Sequence, residues 1–133
     1  MIVVDANIIA YFLLQSDKTE IAEKIWAKDM DWYAPLLWRS EVRNILTNYI
    51  RHNLLSLEQV QMVMDKAHEI MHEREHFVSS AVVLELAASS RSTAYDCEYV
   101  ALAQQFGLAL ITFDKGIVRD FPEVAMFPQD YLA

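Results

Sequence analysis

Glycine and proline are scarce in this chain of 133 residues, which holds two of the first and three of the second. So few turn formers leave little material for the many tight turns of a sandwich or barrel, and point instead to helices with a few strands. A single cysteine, Cys97, excludes an internal disulfide and suits a reducing, cytoplasmic setting. Cations are in deficit too. Eleven Lys and Arg against 19 Asp and Glu give a net charge of −8, so the average surface repels nucleic acid. If RNA is a substrate, cations must mediate the contact locally. No membrane span or export signal is expected either: the apolar start from Ile2 to Leu14 lacks a basic leader, carries Asp5 and is too short to cross a bilayer. There is no repeat and no low-complexity linker. With 54% hydrophobic residues, enough for a real core, residues 1–133 are expected to form one domain.

The stretch Ile2-Val3-Val4-Asp5-Ala6-Asn7 has the pattern of a buried parallel strand that stops at an acid and a small polar turn. In open α/β sheets, ligands bind in the crevice outside the carboxyl ends of the strands, which is where Asp5 falls. A lone acid there is as easily the cap of the next helix. An all-apolar helix is expected from Ile8 to Leu14, and a second from an Asp17-to-Glu20 capping box through Trp26. Trp32-Tyr33-Ala34, before Pro35, predicts a strand. Val42, Ile45, Leu46, Tyr49 and Ile50 mark the clearest helix, with Glu41 in its first turn, about 100° from the apolar stripe. Ser56 and Gln59 form a capping box for a long helix whose apolar face runs from Val60 to Met71. Phe77-Val78 predicts a brief strand, and Ala81 to Ala88 a helix. Thr93 to Asp96 again has capping-box spacing, and its helix runs to a stop at Gly107. Leu108 to Phe113 is a second buried-strand run, and it too ends in an acid, Asp114. A last edge strand is expected within Val124 to Phe127.

If the sheet is parallel, Asp5 and Asp114 leave the same edge, and Glu41 and Asp96 begin helices near it. Four converging carboxylates repel one another unless divalent cations sit among them, and oxygen-only ligands favour Mg²⁺ or Mn²⁺ over zinc. Such ions suit in-line phosphodiester displacement.

Val3-Val4-Asp5-Ala6-Asn7, Ser40-Glu41-Val42-Arg43-Asn44-Ile45-Leu46, the run Tyr95-Asp96-Cys97-Glu98-Tyr99-Val100-Ala101-Leu102-Ala103, and Ile111-Thr112-Phe113-Asp114 together resemble the PIN-domain ribonucleases. Within that family they resemble the VapC-type toxins of bacterial toxin-antitoxin pairs. Each piece alone is weak; the ordered set, end to end, is specific. The resemblance implies a mostly parallel α/β/α sandwich and a metal-dependent endoribonuclease neutralised by a co-expressed antitoxin. It also suggests a homodimer. It assigns metal binding and catalysis to Asp5, Glu41, Asp96 and Asp114, with Asn7 and Thr112 as polar support. The alternative is a non-catalytic interaction domain of the same fold, against which the intact acidic set argues.

His68-Glu69-Ile70-Met71-His72 spells H-E-x-x-H, a zinc metallopeptidase signature, on an expected helix. The apolar stripe of that helix puts His72 towards solvent, and Glu75 and His76 break the longer motif. A solvated face is the expectation, with adventitious metal binding by His68, His72 and His76 as a further possibility. Arg39, Arg43, Arg91 and Lys115 flank the acids as candidate phosphate contacts. Tyr11, Phe12, Trp26, Trp38 and Tyr49 offer more aromatic area than a small core needs, and are the expected docking surface for an inhibitor.

Overall fold

The computed structural model describes residues 1–133. The chain runs β1 (Ile2–Val4), α1 (Ala6–Leu13), α2 (Thr19–Lys28), β2 (Trp32–Pro35), α3 (Trp38–Arg51), α4 (Leu57–Met71) and β3 (Glu75–His76). It continues with α5 (Ser80–Ala88), α6 (Ala94–Phe106), β4 (Leu110–Ile111), α7 (Lys115–Asp120), β5 (Ala125–Met126) and α8 (Pro128–Leu132). All five strands are parallel, in the order β3-β2-β1-β4-β5. Right-handed crossovers put the helices of the β1-to-β2 and β2-to-β3 connections on one face. The connections from β3 to β4 and from β4 to β5 run the other way across the sheet, so their helices cover the opposite face. The result is the expected α/β/α sandwich, with α6 lying on β1, β2 and β4, and α5 on α6. No helix is long and apolar enough to cross a membrane.

β1 sits at the centre of the sheet, so a run without polar alternation is what its two buried faces require. Val3 and Val4 are fully buried. Helix α4 starts at the expected capping box: Gln59 N donates to Ser56 Oγ at 3.1 Å, and Ser56 N to Gln59 Oε1 at 2.8 Å. Gly107 ends α6 at φ +64, a left-handed turn that glycine adopts without strain.

Two local expectations are displaced. The N-cap of α2 is Lys18 rather than Asp17, and the Thr19 hydroxyl turns back to the Leu14 carbonyl to close the turn between α1 and α2. The third strand is Glu75–His76 and not Phe77-Val78. Glu75 is drawn inward by the Trp38 indole N–H at 2.8 Å and by two Arg39 guanidinium bonds, both 2.6 Å, whereas Phe77 is 85% exposed.

Candidate active site

The sheet changes direction between β1 and β4. They are neighbours, but β1 leads on towards β2 and β4 towards β5, so a crevice opens between their carboxyl ends. The register pairs Val4 with Ile111, which brings the next residues, Asp5 and Thr112, side by side. Asp5 is buried. Its Oδ1 caps α1 by accepting from Ile8 N at 3.1 Å, and its Oδ2 accepts from the Thr112 hydroxyl. The same Thr112 oxygen accepts from Asp114 N at 3.0 Å, while Asp114 Oδ1 caps α7 through Ile117 N at 3.0 Å. Capping and a place in the crevice are therefore not alternatives here. The cap bonds orient the two acids.

Glu41 lies in the first turn of α3, half-buried, and accepts a 2.6 Å hydrogen bond from the Tyr99 hydroxyl. Tyr99 escaped the sequence analysis because its spacing marks it as part of an apolar helix face. The available signal was chemical: a buried tyrosine hydroxyl needs a partner. Asp96 lies in the first turn of α6, its backbone N–H capped by Thr93 Oγ1 at 3.0 Å.

Burial is the main force on these groups. It raises the Asp5 carboxyl to about 6, with the charges of Glu41 and Asp114 adding to it and the bonds from Thr112 and Ile8 opposing. Glu41 is likewise pushed up by burial, helped by Asp96 and Glu98 and opposed by the Tyr99 hydroxyl. Burial and the Glu41 charge hold Tyr99 well above the usual phenol range. The acids thus form a row of electrostatic neighbours, Asp114, Asp5, Glu41 and Asp96, along one edge. The row is looser than the convergence expected from strand order, for no three carboxylates, histidines or cysteines surround a common point. Glu98, which the motif does not include, joins the same field.

A sequence model of the family described as the PIN domain matches residues 2–124. The chain belongs to the PIN-domain family. Among its relatives, Ribonuclease VapC3 of Pyrobaculum aerophilum is 29% identical over 126 residues, spanning 91% of this chain and 95% of that protein. The crystal structure of PAE2754 from Pyrobaculum aerophilum superposes with a TM-score of 0.76 at 19% identity, covering 98% of this chain and 92% of that one. That of FitAcB from Neisseria gonorrhoeae gives 0.71 at 20%, covering 97% and 99%. At such identities the two structures speak for the PIN fold alone.

The histidine motif has no site in this PIN domain. Helix α4 ends at Met71, so His72 is already its C-cap and His76 belongs to β3; the three histidines do not share a helical face. His68 and His72 are both exposed. His68 leans edge-on against the buried Trp38 ring at 5.3 Å, so replacing the two with alanine is expected to cost about 0.5 to 1.5 kcal/mol by urea denaturation and to leave RNA cleavage unchanged. Loss of cleavage would restore a role to the motif.

The aromatic docking surface also needs correction. Trp38 is fully buried, and Phe12 stacks on Trp26 at 4.8 Å while both meet buried Trp32 edge-on. Tyr11 leans edge-on against Phe113 at 5.7 Å. Of the five aromatics, Tyr49 lines an open groove with Leu13, Leu54 and Val63. Of the other four only Trp38 belongs to the buried core; Tyr11, Phe12 and Trp26 are half-buried. Among the flanking cations, the Arg39 guanidinium is committed to Glu75. Arg43 is exposed and binds only neutral oxygens of its own helix.

Proposed function

We propose that this PIN domain is a Mg²⁺- or Mn²⁺-dependent endoribonuclease, and that it is the cytoplasmic toxin of a toxin-antitoxin pair, neutralised by a cognate antitoxin and acting as a homodimer. The observation that carries the reading is the row of Asp114, Asp5, Glu41 and Asp96 at the switch of the sheet, with Asp5 and Glu41 held where burial and neighbouring charge oppose ionisation. Helix capping accounts for the backbone bonds of Asp5 and Asp114 but not for gathering four carboxylates whose charges oppose one another, and perturbed acids in a cleft are candidates for a functional site. The same point disfavours the non-catalytic alternative. The ribonuclease name of VapC3 supports the substrate class.

The donor set fits a hard divalent cation, since all four side chains offer carboxylate oxygen and none offers nitrogen or sulfur. Because no three of them surround a common point, a cation would be held by neighbouring members of the set Asp114, Asp5, Glu41 and Asp96, with water completing its shell. When bound, the ion supplies Lewis acidity for activating a water and neutralising charge in an in-line displacement at phosphorus. The protein's own contribution is orientation. Thr112 fixes Asp5 and the backbone of Asp114 through one hydroxyl, and Tyr99 fixes Glu41. Arg43, Arg91 and Lys115, all exposed, are the flanking cations available to meet RNA phosphates.

The test is cleavage of single-stranded RNA with Mg²⁺, Mn²⁺ or excess EDTA. Cleavage is expected with either metal and not with EDTA, and Asp96→Asn and Asp114→Asn are each expected to abolish it with the fold intact by circular dichroism. Full activity in Asp114→Asn would sink the assignment. Inhibition is expected to follow the same chemistry. An acidic cleft on an acidic body is blocked most directly by an arginine that pairs with the carboxylates, so raising Mg²⁺ should weaken inhibition by the antitoxin and an Arg→Glu change in the antitoxin should remove it. Inhibition indifferent to both would place the antitoxin elsewhere.

A further inference from the structure

Beside the acids lies a notch of about 380 Å³, within the size range of small-molecule sites. Glu41 forms one wall, Ala6 and Asn7 come directly after Asp5 in the chain, and Tyr95 directly precedes Asp96, so the notch includes one of the four acids and the chain neighbours of two more. Asn44 stands one turn after Glu41 on the same side of α3. Apart from Glu41, every polar group lining the notch is neutral: two carboxamides, Asn7 and Asn44, and the hydroxyls of Ser40 and Tyr95. Both asparagines are exposed, and Leu37 and Ile45 supply an apolar floor. Tyr95 is 64% exposed, a large aromatic that burial does not account for. The nearby cation, Arg43, is turned along its own helix, with Nε donating to the Arg39 carbonyl at 3.0 Å and Nη2 to the Ser40 hydroxyl at 3.2 Å.

These features restrict the occupant. A phosphate belongs with the cation that the acids would hold, and the lining, whose one charged group is Glu41, offers it no charge of opposite sign. A neutral planar group fits, provided it has a π face for Tyr95 and an edge carrying a donor beside an acceptor for a carboxamide. It must also be joined to whatever the acids act on. We propose that the notch is a nucleobase subsite that takes one unpaired base next to the scissile phosphate, stacked on Tyr95 with its edge read by Asn44 and Asn7. The Watson–Crick edges of all four unpaired bases carry a donor beside an acceptor, so the carboxamides call for an unpaired base, and the way Asn44 and Asn7 are oriented sets which one. This rests on the ribonuclease reading above and adds selectivity at one position of the RNA.

The experiment uses single-stranded oligoribonucleotides of randomised sequence, cleaved with Mn²⁺ by wild type, Tyr95→Ala, Tyr95→Phe and Asn44→Ala, with the cut sites mapped. Wild type is expected to prefer one base at one position fixed relative to the cut. Tyr95→Ala should raise KM for the preferred oligomer roughly 5- to 150-fold, the range for losing one base stack. Tyr95→Phe should keep the wild-type KM, and Asn44→Ala should flatten the base preference while the cut still occurs. Cleavage without a fixed preference, or a preference that survives in both Tyr95→Ala and Asn44→Ala, overturns the subsite and leaves the nuclease standing. Absence of cleavage by wild type with any metal overturns the nuclease reading and the subsite with it.

Discussion

Asp5→Asn is expected to abolish metal-dependent RNA cleavage and, in the absence of divalent metal, to make the protein more stable than wild type. The second effect follows from burial. The Asp5 carboxyl sits at about 6 in the fold against an ordinary value of 3.8, so the fold favours the protonated form. That contribution is fully present below the unfolded value and is lost as pH rises through about 6; at pH 7 the ionised wild type forfeits roughly 3 kcal/mol. Asparagine fills the same space without charge. Its amide oxygen can still accept from Ile8 N, and its amide nitrogen can donate to Thr112 Oγ1, so the cap survives. The expected result is a gain of about 1 to 3 kcal/mol at pH 7 to 8 in urea denaturation with EDTA, shrinking as pH falls through 6 towards 4. Mg²⁺ or Mn²⁺ should stabilise wild type by mass action and Asp5→Asn much less, so the order of stabilities narrows or reverses with metal. An Asp5→Asn protein that is less stable than wild type at pH 8 without metal would contradict the buried, frustrated carboxylate.

Trp38→Ala is expected to have the largest effect on stability. The side chain is fully buried at the start of α3, three residues before Glu41, and its indole N–H donates to Glu75 at the edge of the sheet. Truncation removes a large apolar volume and one of three hydrogen bonds that bind Glu75, for a loss of about 3 to 5 kcal/mol. Against a total of about 5 to 15 kcal/mol for a typical domain, that is enough to leave some of the chain unfolded at ambient temperature. Trp38→Phe separates the two parts. It keeps most of the apolar volume and leaves Glu75 its arginine bonds, so it should cost much less, with most of the cleavage activity retained. Equal unfolding midpoints for Trp38→Ala and wild type would refute the packing described.

What the sequence by itself determined is local. β1 and its terminal acid, the helices carrying Glu41 and Asp96, the Ser56-to-Gln59 box and the Gly107 stop are all legible because a strand run, a 3.6-residue period or a cap involves residues within a few positions of one another. The positions of the four acids along the chain belong to that class. Their mutual arrangement does not. The contact of Thr112 with Asp5 joins residues 107 apart, and that of Tyr99 with Glu41 residues 58 apart. Both depend on β1 lying between β2 and β4, an order that no local propensity encodes. Strands as short as β3 and β5, two residues each, likewise exist only because a neighbour supplies their ladder. Trp38 was misplaced for the same reason. Helical spacing marks which residues share a face, but whether an aromatic at the edge of that face is covered depends on what packs over it, here the strand that carries Glu75. Strand pairing and burial are settled by the whole chain competing for one core, and that competition is visible only in three dimensions.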